Sequence, residues 1–201
     1  MDGVLVDSMG AHFEVWRELL RPYTNLSQKK FNSWSGKSTL DILSIVQKKY
    51  GFVSDAEEFK NRKNDLYIKS ISKVKLFPNV KSVLEYLKGK RVTLMVATSE
   101  TLEVADKLLK IFKIRKYFSV VVGEDMVKNA KPSPDIFLLA SKLANYKPRQ
   151  CLVVEDSPTG IEAAKAAGMQ VIALPTTHKK EELQNATLIT TNLRKTLEKF
   201  V

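Results

Sequence analysis

From residue 81 onward the chain alternates short, unbroken apolar runs with longer segments of helical periodicity, and no other feature narrows its fold as far. The runs occupy residues 92–97, 119–122, 151–154 and 171–174. A strand that is apolar at nearly every position is buried on both faces, as happens in a parallel sheet covered by helices on both sides. The intervening segments, near 100–113, 134–145 and 158–167 with a last one near 191–200, supply those helices. The pattern predicts an α/β core with a doubly wound parallel sheet. In such a core, reactive side chains gather at the carboxyl ends of the strands.

Residues 8–71 have a different texture. His12, Phe13, Trp16, Leu19 and Leu20 recur at three- to four-residue spacing, as do Leu40, Ile42, Leu43 and Val46. A third, heavily charged stretch at 55–71 carries Phe59, Leu66 and Tyr67. No strand pattern interrupts this region, so it is expected to form a small helical bundle. With 201 residues, 44% of them apolar and 27% charged, the chain is large enough for one core with an insert and is not a disordered polymer.

Composition also sets exclusions. Cys151 is the single cysteine, so an internal disulfide and a multi-cysteine zinc site are ruled out, and His12 and His178 are too few for a histidine-based metal centre. No apolar run approaches the roughly 20 residues of a membrane span. The first residues lack a basic stretch followed by an apolar one, and the expectation is a cytoplasmic protein without membrane contact. The net charge of +11 comes mostly from lysines scattered in pairs such as Lys29-Lys30, Lys48-Lys49 and Lys179-Lys180. Without an arginine-rich or aromatic-interleaved run, this reads as a solvated surface, and no nucleic-acid partner is expected.

The strand ends carry the chemistry. After the first run comes Thr98-Ser99-Glu100, where hydroxyls and helix-terminal amides could cradle an oxyanion, although Thr and Ser are also ordinary N-caps. The third run ends in Glu155-Asp156-Ser157-Pro158-Thr159-Gly160. Two adjacent carboxylates at the mouth of a buried strand repel unless a cation lies between them, and a hard one such as Mg²⁺ takes oxygen ligands; the plainer reading is an Asp N-cap beside a surface Glu. Lys131, in the proline-framed loop Lys131-Pro132-Ser133-Pro134-Asp135, offers a fixed ammonium to balance carboxylates and a phosphoryl group, or is one solvated lysine among many. Asp2-Gly3 at the start of the chain is by itself a turn.

Taken in order, these four elements resemble the motifs of haloacid dehalogenase-like phosphatases, and within that superfamily the β-phosphoglucomutase-like group. The residues concerned are Asp2-Gly3-Val4-Leu5-Val6-Asp7-Ser8, Val96-Ala97-Thr98-Ser99, Lys131-Pro132-Ser133-Pro134-Asp135 and Glu155-Asp156-Ser157-Pro158-Thr159-Gly160. The resemblance implies a Rossmann-like core formed by residues 1–8 and 77–201, with a helical cap at 9–76. It implies a Mg²⁺-dependent phosphatase acting on a small phosphorylated metabolite of sugar-phosphate type. Asp2 would serve as general acid/base, its backbone carbonyl touching the metal. Thr98 would hydrogen-bond the phosphoryl oxygens, with Ser99 beside it at the substrate. Lys131 would neutralise developing charge, and Glu155 and Asp156 would hold Mg²⁺. Such chemistry is mostly positioning and electrostatics. A monomer is the expectation.

Cap-side positions leave alternatives open. His12 and Lys63 match substrate-contacting positions of β-phosphoglucomutases and favour a sugar-phosphate mutase. Thr39 stands where those enzymes carry a phosphate-gripping Arg, and this argues for a phosphatase instead. Ser35-Gly36-Lys37-Ser38 looks like the end of a nucleotide-binding P-loop, but Phe31 occupies the place of the required Gly. Gly36 and Lys37 are therefore assigned to a substrate-specificity turn, with Ser38 or Thr39 as the N-cap that follows.

The resemblance also shows one departure. The family's nucleophile is an Asp two residues before the acid/base, and here the residue between them is Met1. Asp7 matches a different position without a nucleophilic role. The expectation is that Met1 is internal to a longer reading frame, with an apolar strand ending in Asp directly before it. In that complete form the reaction would pass through an aspartyl-phosphate; in its absence the chain would be a non-catalytic phosphate-binding relative.

Overall fold

The computed structural model describes residues 1–34, 38–51 and 55–201, and the chain divides into two compact units, Met1–Asp7 with Leu76–Val201, and Ser8–Lys75. The first unit opens with a tight loop leading into β1 (Val6–Asp7). The second holds α1 (Met9–Leu20), α2 (Gln28–Asn32), α3 (Thr39–Tyr50) and α4 (Ala56–Lys69). Its core is aromatic: the Trp16 ring lies 5.9 Å from Trp34 and 5.8 Å from Phe59, and Phe13 lies 5.5 Å from Phe31. Ser38 is the N-cap of α3. Its hydroxyl accepts from the Asp41 amide while the Asp41 carboxylate accepts from the Ser38 amide, a reciprocal pair that satisfies donors the first turn leaves open. Asp55 caps α4 by accepting from the amides of Glu57 and Glu58.

The larger unit continues with β2 (Lys75–Leu76), α5 (Val80–Gly89), β3 (Leu94–Ala97), α6 (Leu102–Ile111) and β4 (Phe118–Val122). Next come α7 (Asp135–Leu143), β5 (Leu152–Glu155), α8 (Pro158–Ala166), β6 (Gln170–Ala173), β7 (Leu188–Ile189) and α9 (Leu193–Leu197). Strand residues alternate between two helical layers. Met95, Ala97, Val120, Val122, Val153, Val171 and Ala173 share a cluster with Ile136, Phe137 and Ala140 of α7 and Ile161, Ala163 and Ala164 of α8. Val96 and Val121 pack with Val80 and Leu84 of α5 and Ala105 and Leu109 of α6, and Ile172 packs with Val83, Leu87 and Leu197. Helices therefore cover both faces, as the apolar runs require, and each fully buried Leu or Ile contributes about 1.5–3 kcal/mol.

The parallel sheet is in two pieces. β3 pairs with β4, with a register irregularity between Leu94 and Met95, while β5 pairs with β6 and β6 with β7. Among the described residues no ladder joins β3 to β5. Both strands instead line an apolar cavity of about 550 Å³, shared with Met1, Val4 and Leu5 and with residues of α5, α7 and α9. No helix among the described residues is long and apolar enough to cross a membrane.

Candidate active site

The site lies at the carboxyl ends of β5 and β6 and is closed from one side by the first loop of the chain. That loop is tight: the Gly3 amide donates to the Val6 carbonyl at 2.9 Å and the Leu5 amide to the Met1 carbonyl at 2.7 Å. Gly3 has φ +67°, and a Cβ there would lie 1.9 Å from Asp156 Oδ2. Glycine is needed both for the backbone angle and for the close approach of the Asp156 carboxylate. The Asp2 charge acts in the direction that raises the Asp156 carboxyl.

Glu155 and Asp156, adjacent in sequence, have separate partners. Lys131 Nζ donates to Glu155 Oε1 at 2.5 Å, with the two side chains only 10% and 5% exposed. The Ser157 hydroxyl donates to Glu155 Oε2 at 3.0 Å and accepts from the Gly160 amide at 3.1 Å, so one residue caps α8 and fastens the carboxylate. A Cβ at Gly160 would lie 2.1 Å from Glu155 Oε2, so the helix meets the carboxylate through a bare backbone. Lys131 is held from its own side as well. Its ammonium lies 4.9 Å from the Phe137 ring centroid, and its loop is folded by Asp135, which accepts from Ser133 Oγ at 2.7 Å and Asn129 Nδ2 at 3.0 Å. The Lys131–Pro132 peptide is cis.

Among the described residues, no cationic side chain pairs with Asp156. The Thr177 hydroxyl donates to Asp156 Oδ2, and His178 Nδ1 lies 3.0 Å from the Asp156 carbonyl. Burial, then the Glu155 charge, push the Asp156 carboxyl up to about 6, with Asp2 adding to the rise and Thr177 and the Met1 amino group opposing it. Burial also acts to raise Glu155. There the Lys131 ammonium, the Met1 amino group and the hydrogen bonds from Lys131 and Ser157 outweigh it and hold the carboxyl below its ordinary value.

The remaining sequence candidates are distributed as follows. Thr98 is buried at the end of β3, its amide donating to the Val122 carbonyl at 3.1 Å and its hydroxyl accepting from the Glu100 amide at 3.2 Å; Ser99 beside it is exposed. His12 and Lys63 both lie against Tyr67 in the helical unit. The imidazole stacks on its ring at 4.1 Å, and the buried Lys63 ammonium stands 5.8 Å from the ring centroid. Gly36 and Lys37 lie outside the described residues. Sequence reasoning missed Thr176, Thr177 and His178. The available signal was their place directly beyond a buried strand, the same setting that singled out Thr98.

The donor set fits a hard cation. Asp156 offers a buried carboxylate whose charge is opposed by burial, then by Glu155 and least by Asp2, and a divalent cation would relieve that opposition. Glu155, expected as a direct ligand, has Oε1 engaged by Lys131 and Oε2 by Ser157.

A core with helices on both faces of parallel strands, its acidic and basic residues gathered at the strand ends, is of the haloacid dehalogenase kind. The family model for haloacid dehalogenase-like hydrolases matches residues 1–174, and the chain belongs to that family. It is 36% identical over 177 residues to a phosphorylated carbohydrates phosphatase of Thermotoga maritima, covering 86% of this chain and 81% of the relative. It is 29% identical to the β-phosphoglucomutase of Bacillus subtilis over 87% of this chain and 80% of that one. The crystal structure of β-phosphoglucomutase from Clostridium difficile superposes with a TM-score of 0.84 at 25% identity, over 96% of this chain and 89% of that chain.

Proposed function

We propose that the chain is a Mg²⁺-dependent phosphatase of small phosphate monoesters, with sugar phosphates as the substrate class. The observation that carries this is the buried Lys131–Glu155 pair beside Asp156, against which the Gly3 loop closes, at the end of β5. Relatives named as a carbohydrate phosphatase and a sugar-phosphate mutase support the same chemistry.

In this reading Asp2 protonates the leaving oxygen and later takes a proton from water. Lys131, fixed by Glu155 and Phe137, presents positive charge to the phosphoryl oxygens, and Thr98 donates a hydrogen bond to them. The Asp2 backbone carbonyl and the Asp156 carboxylate would hold Mg²⁺, which when bound supplies positive charge against the phosphoryl group. The residues 1–8 and 77–201 form the catalytic core, and residues 9–76 the cap that selects substrate through His12 and Lys63 and through the Gly36–Lys37 turn.

A mutase is the second reading, favoured by the resemblance of the His12 and Lys63 positions to those of β-phosphoglucomutases. The test uses the chain extended before Met1 by an apolar strand ending in Asp, supplied with hexose monophosphates with and without Mg²⁺. Phosphate release that needs Mg²⁺ is expected. Turnover that requires a sugar bisphosphate and releases little phosphate would establish the mutase instead.

A further inference from the structure

The residues directly beyond β6 reach back and fasten both aspartate-bearing loops. The Thr176 hydroxyl donates to the Gly3 carbonyl at 2.5 Å, one residue from Asp2. The next hydroxyl, that of Thr177, donates to Asp156 Oδ2. His178 Nδ1 stands 3.0 Å from the Asp156 carbonyl and 3.0 Å from Thr177 Oγ1. A carbonyl oxygen only accepts, so Nδ1 carries the hydrogen in this contact. With Nδ1 as donor, the single hydrogen of the Thr177 hydroxyl is left for the carboxylate. The Asp156 carboxylate is thereby held between the bare Cα of Gly3 on one side and an oriented hydroxyl on the other.

We infer that Thr177, set by His178, is the positioning residue that aims Asp156 at a divalent cation, and that Thr176 does the same for Asp2 by holding Gly3. Neither threonine needs to touch substrate or metal. Each acts through the loop it fastens, and the inference rests on the Mg²⁺ reading given above. A hydroxyl donating to one carboxylate oxygen fixes the direction in which the group points, which is what a ligand must have before the cation arrives. Groups that orient metal ligands in this way change metal affinity by about 10- to 100-fold when removed.

The experiment is a calorimetric titration of the 201-residue chain with MgCl₂, alongside thermal unfolding of the same samples without metal. Thr177→Val removes the hydroxyl at nearly constant shape and is expected to weaken Mg²⁺ binding about tenfold. Thr177→Ser retains a donor and should stay within about twofold of the parent. A second hydroxyl-free variant, Thr177→Ala, should weaken Mg²⁺ as Thr177→Val does and serves if the valine does not fold. Thr176→Val should lose less than Thr177→Val, because it acts on Asp2 through a backbone carbonyl. A purely structural role predicts that the metal-free unfolding midpoint falls and Mg²⁺ affinity does not. Parental affinity in Thr177→Val, or an equal loss in the serine and valine variants, would overturn the inference and leave the proposed function standing. No Mg²⁺ binding by the parent chain would overturn both.

Discussion

The two pieces of the core on either side of the apolar cavity are built by the same rule but secure their strand ends differently. At the end of β5 and β6 the fastenings are made by side chains and several are charged: Lys131 to Glu155, Ser157 to Glu155, Thr177 to Asp156 and Thr176 to Gly3. At the end of β3 and β4 they are mostly backbone and short-range. Thr98 meets Val122, the Glu124 amide donates to the Glu100 carbonyl at 2.9 Å, and Asp125 accepts from the Leu102 amide at 2.8 Å. The Lys131–Glu155 pair and Asp156 are thus assembled on the β5–β6 piece.

The largest effect should come from bridging the two pieces. An apolar strand of four or five residues joined before Met1 and ending in Asp should bury side chains worth about 1.5–3 kcal/mol each, raising the unfolding free energy by several kcal/mol in denaturant titration. Amides of β3 and β5 should become protected in hydrogen exchange, since open edges gain partners. Unchanged exchange at both strands would mean that the two pieces are stable without a bridge.

Next in size is Lys131→Met, which leaves the buried Glu155 carboxylate without its cation. A loss of about 3–5 kcal/mol at neutral pH is expected in chemical denaturation, with most of it recovered when Glu155→Gln is added. A loss below about 1 kcal/mol would show that the ion pair does not organise the charged side of the core.

A pH series separates the two carboxylates. Asp156 has its folded value raised from 3.8 to about 6, so between these values the unfolded chain binds fewer protons than the folded one. Stability of the metal-free protein should therefore fall as pH rises from about 4 to 6, by about 3 kcal/mol in all, and Asp156→Asn should abolish the fall. Glu155 has the opposite sign: its folded value is depressed, so its contribution is present above its ordinary range and disappears as pH drops through the folded value. Mg²⁺ binding should weaken below about pH 6, where Asp156 takes up a proton. On the β3 side Thr98→Val should cost only about 1 kcal/mol of stability, the net value of an ordinary hydrogen bond, while lowering phosphate release far more than it lowers stability.

Much of the fold was legible because burial on both faces leaves an unmistakable record. Strands 92–97, 119–122, 151–154 and 171–174 correspond to β3, β4, β5 and β6 within a residue or two, and the charged stretch at 55–71 contains α4. Two-residue strands such as β1, β2 and β7 are too short to leave a period. The site was legible as a set of strand-end residues; in the structure Lys131 meets Glu155 and the Gly3 loop meets Asp156. The division of labour between Glu155 and Asp156 was not legible, because side by side in sequence two carboxylates are equivalent. Only the folded chain brings Lys131 to one and Thr177 to the other. Thr176, Thr177 and His178 read in sequence as an unremarkable polar turn, since their partners lie more than 20 residues away at Asp156 and 173 residues away at Gly3.

Steady-state phosphate release from a hexose monophosphate by the chain extended before Met1, measured with and without Mg²⁺ and with Asp156→Ala, addresses the central claim most directly. The account predicts release that needs Mg²⁺ and falls to background in the Asp156→Ala variant, with that variant still folded. Release that proceeds equally without Mg²⁺, or that survives the loss of Asp156, would contradict it.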